Sequence, residues 1–171
     1  MVVPHRWARR FFISALSPLT LTAVVGATEV APAAGWHLLR TANPAGGDDA
    51  VSMTRGAEMS SNMDLAGLML RCHGGGAEVV LVVVTPFSRH AQPAVTLEVD
   101  GKQWHFEASI IPPGAQLLLP PAAAALAAGA WQSSNQLTVR ISWHERSIAG
   151  AIPIDGLRGA IATLIANCPA G

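Results

Sequence analysis

A chain of 171 residues with 50% hydrophobic and 13% charged side chains has the composition of a globular domain rather than of a disordered polymer. Its formal charge of zero hides an asymmetry: three of the 11 basic residues are Arg6, Arg9 and Arg10, and without them eight basic side chains face 11 acidic ones, a net charge of −3. A surface of that sign has no basic stripe to neutralise phosphates, which excludes nucleic acid as a partner.

The three N-terminal arginines precede a run without charge from Phe11 to Ala27, the order found in a secretory signal. Small residues suit cleavage after Ala27 (Val25-Gly26-Ala27) or after Ala34 (Pro32-Ala33-Ala34), so residues 1–34 are predicted to be a signal peptide. Ser14, Ser17, Pro18, Thr20 and Thr22 interrupt the run, whereas a spanning helix needs roughly 20 mainly apolar residues, so no membrane span is expected after removal. Arg9-Arg10-Phe11-Phe12-Ile13 resembles a twin-arginine signal, but Ala8 stands where Ser or Thr is usual, and ordinary Sec export is the simpler reading. No Cys lies near either cleavage point to carry a lipid. Residues 35–171 then form one β-rich domain of about 140 residues, enough to bury roughly two-thirds of the surface exposed by the unfolded chain.

From Trp36 the pattern is one of short runs separated by turn residues, predicting strands at 36–41, 50–55, 65–72, 77–85, 94–99, 102–108, 115–119, 136–144 and 147–152. Gly46-Gly47-Asp48-Asp49 and the glycines at 74–76 are turns. Val79 to Val84 is apolar at every position, which places this strand centrally with both faces covered. Asp100-Gly101 marks a tight hairpin whose register sets Val99 opposite Lys102, Leu97 opposite Trp104 and Val95 opposite Phe106. Pro121 opens a short helix that runs to Ala128 and stops at Gly129. Leu137, Val139, Ile141 and Trp143 alternate onto one face of the next strand.

The closing segment, 152–168, changes to helical spacing. Leu157, Ile161, Leu164, Ile165 and Cys168 form one stripe, with Asp155 as the predicted N-cap. The fold class is therefore mainly β: a small two-layer antiparallel β-sandwich or barrel with a C-terminal helix packed on the sheet.

Cys72 and Cys168 both lie in the mature part, and each falls on the apolar face of its own element. In an oxidising compartment their pairing is the expected state, with two unpaired thiols as the alternative. Trp36-His37, Trp104-His105 and Trp143-His144 repeat one dipeptide, and three outward imidazoles on adjacent strands would suit zinc or copper. The simpler reading has each tryptophan in the core and each histidine pointing outward with no metal. No Gly-x-Ser-x-Gly elbow occurs, and Ser133, Ser142 and Ser147 stand in strand or turn context without flanking glycines. The 11 acidic residues supply no paired-carboxylate motif. Asp48-Asp49 offers too few oxygens for calcium and reads as a polar turn. The chain has no tyrosine and few aromatics, which argues against a sugar-binding platform; Trp131, in the loop 129–135, reads first as a lid over the core, though it is also the best single candidate for a partner contact.

Taken in order, Trp36 at the mature start, the Asp48-Asp49 turn, the Leu70-Arg71-Cys72 strand end, the valine-rich strand, the Asp100-Gly101 hairpin and a closing helix that ends in Cys168 resemble the TagO/VasI-type accessory proteins of type VI secretion. Ile152-Pro153-Ile154-Asp155-Gly156-Leu157 is similar to that family's Phe-x-Leu-x-Gly-Leu entry into the last helix and to the close of the invasion-associated locus B proteins. Ile152 replaces the Phe, Pro169 follows the last Cys, and the paired central cysteines of the locus B family are missing. The resemblance spans residues 36 to 168. It implies an exported, non-enzymatic periplasmic or secreted accessory protein, linked to a secretion system or to host interaction, whose partner is a protein of the cell envelope or outside the cell. It carries over no catalytic, cofactor or metal-binding residue. The alternative is a small secreted enzyme or metal-binding protein.

Overall fold

The computed structural model describes residues 35–44, 46–74 and 76–169, so the predicted signal at 1–34 lies outside the described residues. In chain order the elements are β1 (His37–Thr41), β2 (Ala50–Gly56), β3 (Leu65–His73), β4 (Gly76–Val83), β5 (Ala94–Val99), β6 (Lys102–Glu107), β7 (Ser109–Ile111), β8 (Gln116–Leu118), α1 (Pro121–Ala127), β9 (Gln136–Trp143), β10 (Arg146–Pro153) and α2 (Leu157–Asn167). Each of the predicted strands is present, with ends shifted by at most two residues. β7 was not predicted, because Ser109-Ile110-Ile111 is too short to show alternation and runs straight into Pro112-Pro113.

The strands form two antiparallel sheets, one of six strands in the order β1-β2-β3-β4-β8-β7 and one of four in the order β10-β9-β5-β6. Their inner faces share one core that includes Met53, Leu70, Leu81, Leu97, Leu137, Val139, Ile141 and Ile152. The β5–β6 hairpin has the predicted register at all three pairs. Asp100 (φ 50°) and Gly101 (φ 76°) both take the positive angles that a two-residue turn of matching twist demands.

Antiparallel pairing also explains the all-apolar run. Val79, Leu81 and Val83 join the core, while Val80 is buried on the opposite face between its cross-strand partners Met69 and Leu118. Val82 is half-buried, and Val84 lies beyond the strand end with 61% exposure, so cover on both faces extends only part of the way along β4.

β3 carries a register shift between Leu65 and Gly67. A Cβ on Gly67 would stand 2.1 Å from the carbonyl oxygen of Arg55, so only glycine fits this close strand approach. The segment 57–64 then crosses to the other sheet and covers the outer edge of β10. Glu58 N donates to Ala151 O (2.9 Å), Asn62 N donates to Ala149 O (3.0 Å), and Ser61 Oγ accepts from Ala151 N (2.9 Å) while donating to Ala151 O (3.1 Å). Hydrogen-bonding groups that would otherwise invite another chain are thereby occupied.

α1 begins with Pro at its first position, as predicted. α2 starts at Leu157 because Ile152 and Pro153 are still paired with Leu137 and Gln136 in β10. Gly156, with φ 75°, occupies the N-cap, and the expected cap by Asp155 is not made. Asp155 instead binds Arg55 Nη2 through Oδ1 (2.7 Å), and its carbonyl accepts the Trp36 indole N–H (2.9 Å). Leu157, Ala160, Ile161 and Leu164 are buried against the sheet, but Ile165 is 49% exposed. At 100° per residue it lies about 80° around the helix from Leu157, at the edge of the stripe.

Candidate functional site

The two cysteines meet where α2 ends. Cys72 follows Leu68 and Leu70 on the inward face of β3, and Cys168 is the C-cap of α2, which packs on β2, β3 and β4. Their sulfurs form a disulfide of 2.12 Å with Cα atoms 5.7 Å apart, across a sequence separation of 96. Three further ties join the start of the domain to its end: Trp36 to Asp155, Arg55 to Asp155, and Arg40 Nη2 to Asn167 Oδ1 at 2.6 Å.

The Trp-His pairs are not brought together. His37 is exposed on β1 of the larger sheet, and His105 is exposed on β6 of the smaller one, with Nδ1 2.9 Å from Thr96 Oγ1. His144 is not a strand residue. It occupies the β9–β10 turn with φ 50°, its ring 4.5 Å from that of Trp143. Trp36 is buried, whereas Trp104 and Trp143 are half-buried.

Trp131 is completely buried, with its ring edge-on to Trp104 at 6.0 Å, so it cannot contact a partner and acts as the lid. Its indole N–H has no hydrogen-bond partner among the described residues. Of the two readings the commoner one holds, the lid over the core, because this loop folds back over the hairpin. Ser134 secures that arrangement: it is buried, and its hydroxyl donates to the Asp100 carboxylate at the hairpin tip. Nothing in the sequence pattern distinguishes Ser134 from Ser133, which is exposed. Ser142 and Ser147 are paired across β9 and β10 on the exposed face. Asp48 and Asp49 are exposed and line a shallow hollow with Arg40 and Asn167.

A second polar cluster latches the loop 84–93. Arg146 reaches Asp64 (3.3 Å) and the Thr85 carbonyl (2.7 Å), and its guanidinium lies 4.1 Å from the centre of the Phe87 ring. The Thr85 hydroxyl donates to Asp64 at 2.6 Å; this bond, helped by Arg146, holds the Asp64 carboxyl below its ordinary value.

A concavity of about 480 Å³ opens where β8 ends and the chain lifts into α1. Ala77, Leu118, Leu119, Pro120, Pro121 and Ala124 make it apolar, and His73, Glu78, Glu107 and Ser109 supply its polar groups. Glu78 Oε2 is held by Arg71 Nε at 2.6 Å, and Oε1 lies 3.7 Å from His73 Nδ1. No local pattern signals this groove, since its lining comes from five strands and a helix start that only the topology brings together.

Neither a protein-family model nor a curated protein sequence matches the chain. Among solved structures it is similar to the crystal structure of invasion associated protein B from Bartonella henselae, at 16% identity, over 78% of this chain and 94% of that one, with a TM-score of 0.49.

Proposed function

We propose that this is an exported, non-enzymatic accessory or interaction protein that works in the periplasm or outside the cell through a protein partner. The observation that carries the reading is the Cys72–Cys168 disulfide. Such bonds persist in oxidising compartments and are rare in the cytosol, and the arginine-led uncharged run at 6–27 supplies the means of export.

The link to type VI secretion or to host interaction rests on the resemblance to TagO/VasI-type and locus B proteins. The residues that carry it serve the closure of the domain. Trp36 and Asp155 bond to each other, Cys72 and Cys168 are joined, and Asp100-Gly101 turns the hairpin. A likeness of this kind concerns how the fold is fastened, which supports a shared frame used for binding and supplies no reaction chemistry.

The test is to express the full chain in a diderm bacterium, fractionate the cells, and measure intact mass before and after thiol alkylation. The expected product is a periplasmic or secreted protein shortened by 27 or 34 residues that resists alkylation until reduced. Full-length cytoplasmic chain with two reactive thiols would overturn the reading.

A further inference from the structure

The groove beside α1 follows the edge of a strand. Ala77 and Glu78 are consecutive residues of β4 whose side chains point to opposite faces, yet both line it. The reason lies in the register between β4 and β8. Leu81 pairs with Leu117, and two residues further Leu119 N donates to Val79 O at 3.0 Å. Continuing by two places sets Ala77 opposite Pro121. Pro121 has no N–H, and the chain has already turned into α1. The ladder therefore stops one step short of the end of β4. Because backbone groups alternate sides along an antiparallel strand, the N–H and C=O of Ala77 point the same way as those of Val79, into the groove.

From this the geometry points to a docking site for an extended peptide segment of a partner protein, which adds to β4 at Ala77 as the strand that β8 does not continue. The occupant is defined by its surroundings. Leu118 and Ala124 offer an apolar wall to one side chain of the incoming segment. Glu107 stands at the rim from the other sheet and makes no hydrogen bond or ion pair with the described residues, so it is the carboxylate left for an incoming cation, Glu78 being already held by Arg71. A Lys or Arg neighbouring an apolar residue satisfies both, and a net charge of −3 without the signal arginines favours a basic partner at longer range. This inference rests on the reading that the partner is a protein.

The experiment uses the exported, oxidised protein, labelled for NMR, and a capped hexapeptide of alternating Val and Lys. Amide shifts are expected at Ala77, Glu78 and Val79. A peptide of the same pattern with N-methylated amides should show no binding, because it cannot form the ladder, and the Val-Glu counterpart should bind at least tenfold more weakly. Glu107→Gln, an exposed change that leaves the fold intact, should weaken the Val-Lys peptide several-fold. Shifts confined to other edges, equal binding by the N-methylated peptide, or no binding would each overturn the groove while leaving the export result untouched. A reduced cytoplasmic chain would overturn the functional reading whatever the peptide does.

Discussion

Replacing Cys72 or Cys168 with Ala removes a cross-link that closes a loop of 96 residues in sequence separation, for which the chain-entropy relation gives about 4.7 kcal/mol. The native-state loss beyond that is small, because both cysteines are only half-buried and Leu157, Ala160, Ile161 and Leu164 keep α2 on the sheet. With a denaturant slope of about 2 kcal/mol per molar, the urea midpoint should fall by about 2 M. Either single variant already abolishes the bond, so Cys72→Ala/Cys168→Ala should cost little more than the worse single change, a strongly non-additive cycle. The assay is equilibrium urea unfolding of the oxidised wild type, the two single variants and the double variant. Reduced wild type should fall with the variants. Single variants within about 0.5 kcal/mol of the oxidised wild type, or costs that simply add, would refute the reasoning.

Trp131→Ala should destabilise by about 3–5 kcal/mol, because a fully buried indole packed on Trp104 leaves a large cavity; thermal or urea unfolding that moved by less than about 1 kcal/mol would contradict its place as the lid. Replacing His37, His105 and His144 together with Gln should change stability by no more than about 0.5 kcal/mol, since all three are exposed; a larger loss mimicked by chelator on the wild type would revive a metal role. The Asp64 carboxyl is depressed in the folded state, so its contribution is fully present above the unfolded carboxylate value of about 3.9 and is lost as pH falls through the lower folded value. Asp64→Asn should therefore differ from wild type at neutral pH and converge with it in acid, and carboxyl NMR titration should find Asp64 below the ordinary carboxylate; a gap that persists at the lowest pH would count against the latch.

The frame was legible where side chains alternate against one core. The hairpin at Asp100-Gly101 was readable to the residue because turn chemistry and period-two alternation agree there. The inward stripe of α2 was readable as far as Leu164 and failed at Ile165, where helical angle rather than apolar character decides. What the sequence concealed has a common cause. Asp155 looks like a helix cap until Arg55 is known to lie 2.7 Å away. Trp131 stands between lid and contact residue until the hairpin tip is brought to Ser134. The groove at Ala77 depends on where β8 happens to end relative to β4. Each is a relation between segments distant in the chain, to which local periodicity is blind.

The distant ties share a direction. Trp36 reaches Asp155, Arg40 reaches Asn167, Arg55 reaches Asp155, and Cys72 reaches Cys168, so the first strands of the domain are each fastened to its final residues. Contacts of such separation form late, because the chain entropy of closing the loop is lost before the contact rewards it. The two ties to Asp155 await the segment that follows β10, those to Asn167 and Cys168 await the end of α2, and the covalent one needs an oxidant as well. A domain built this way completes its fold only once its last residues are in place. The same closure packs α2 against β4, which lies between β3 and β8 and is the strand on which the proposed peptide site at Ala77 is built.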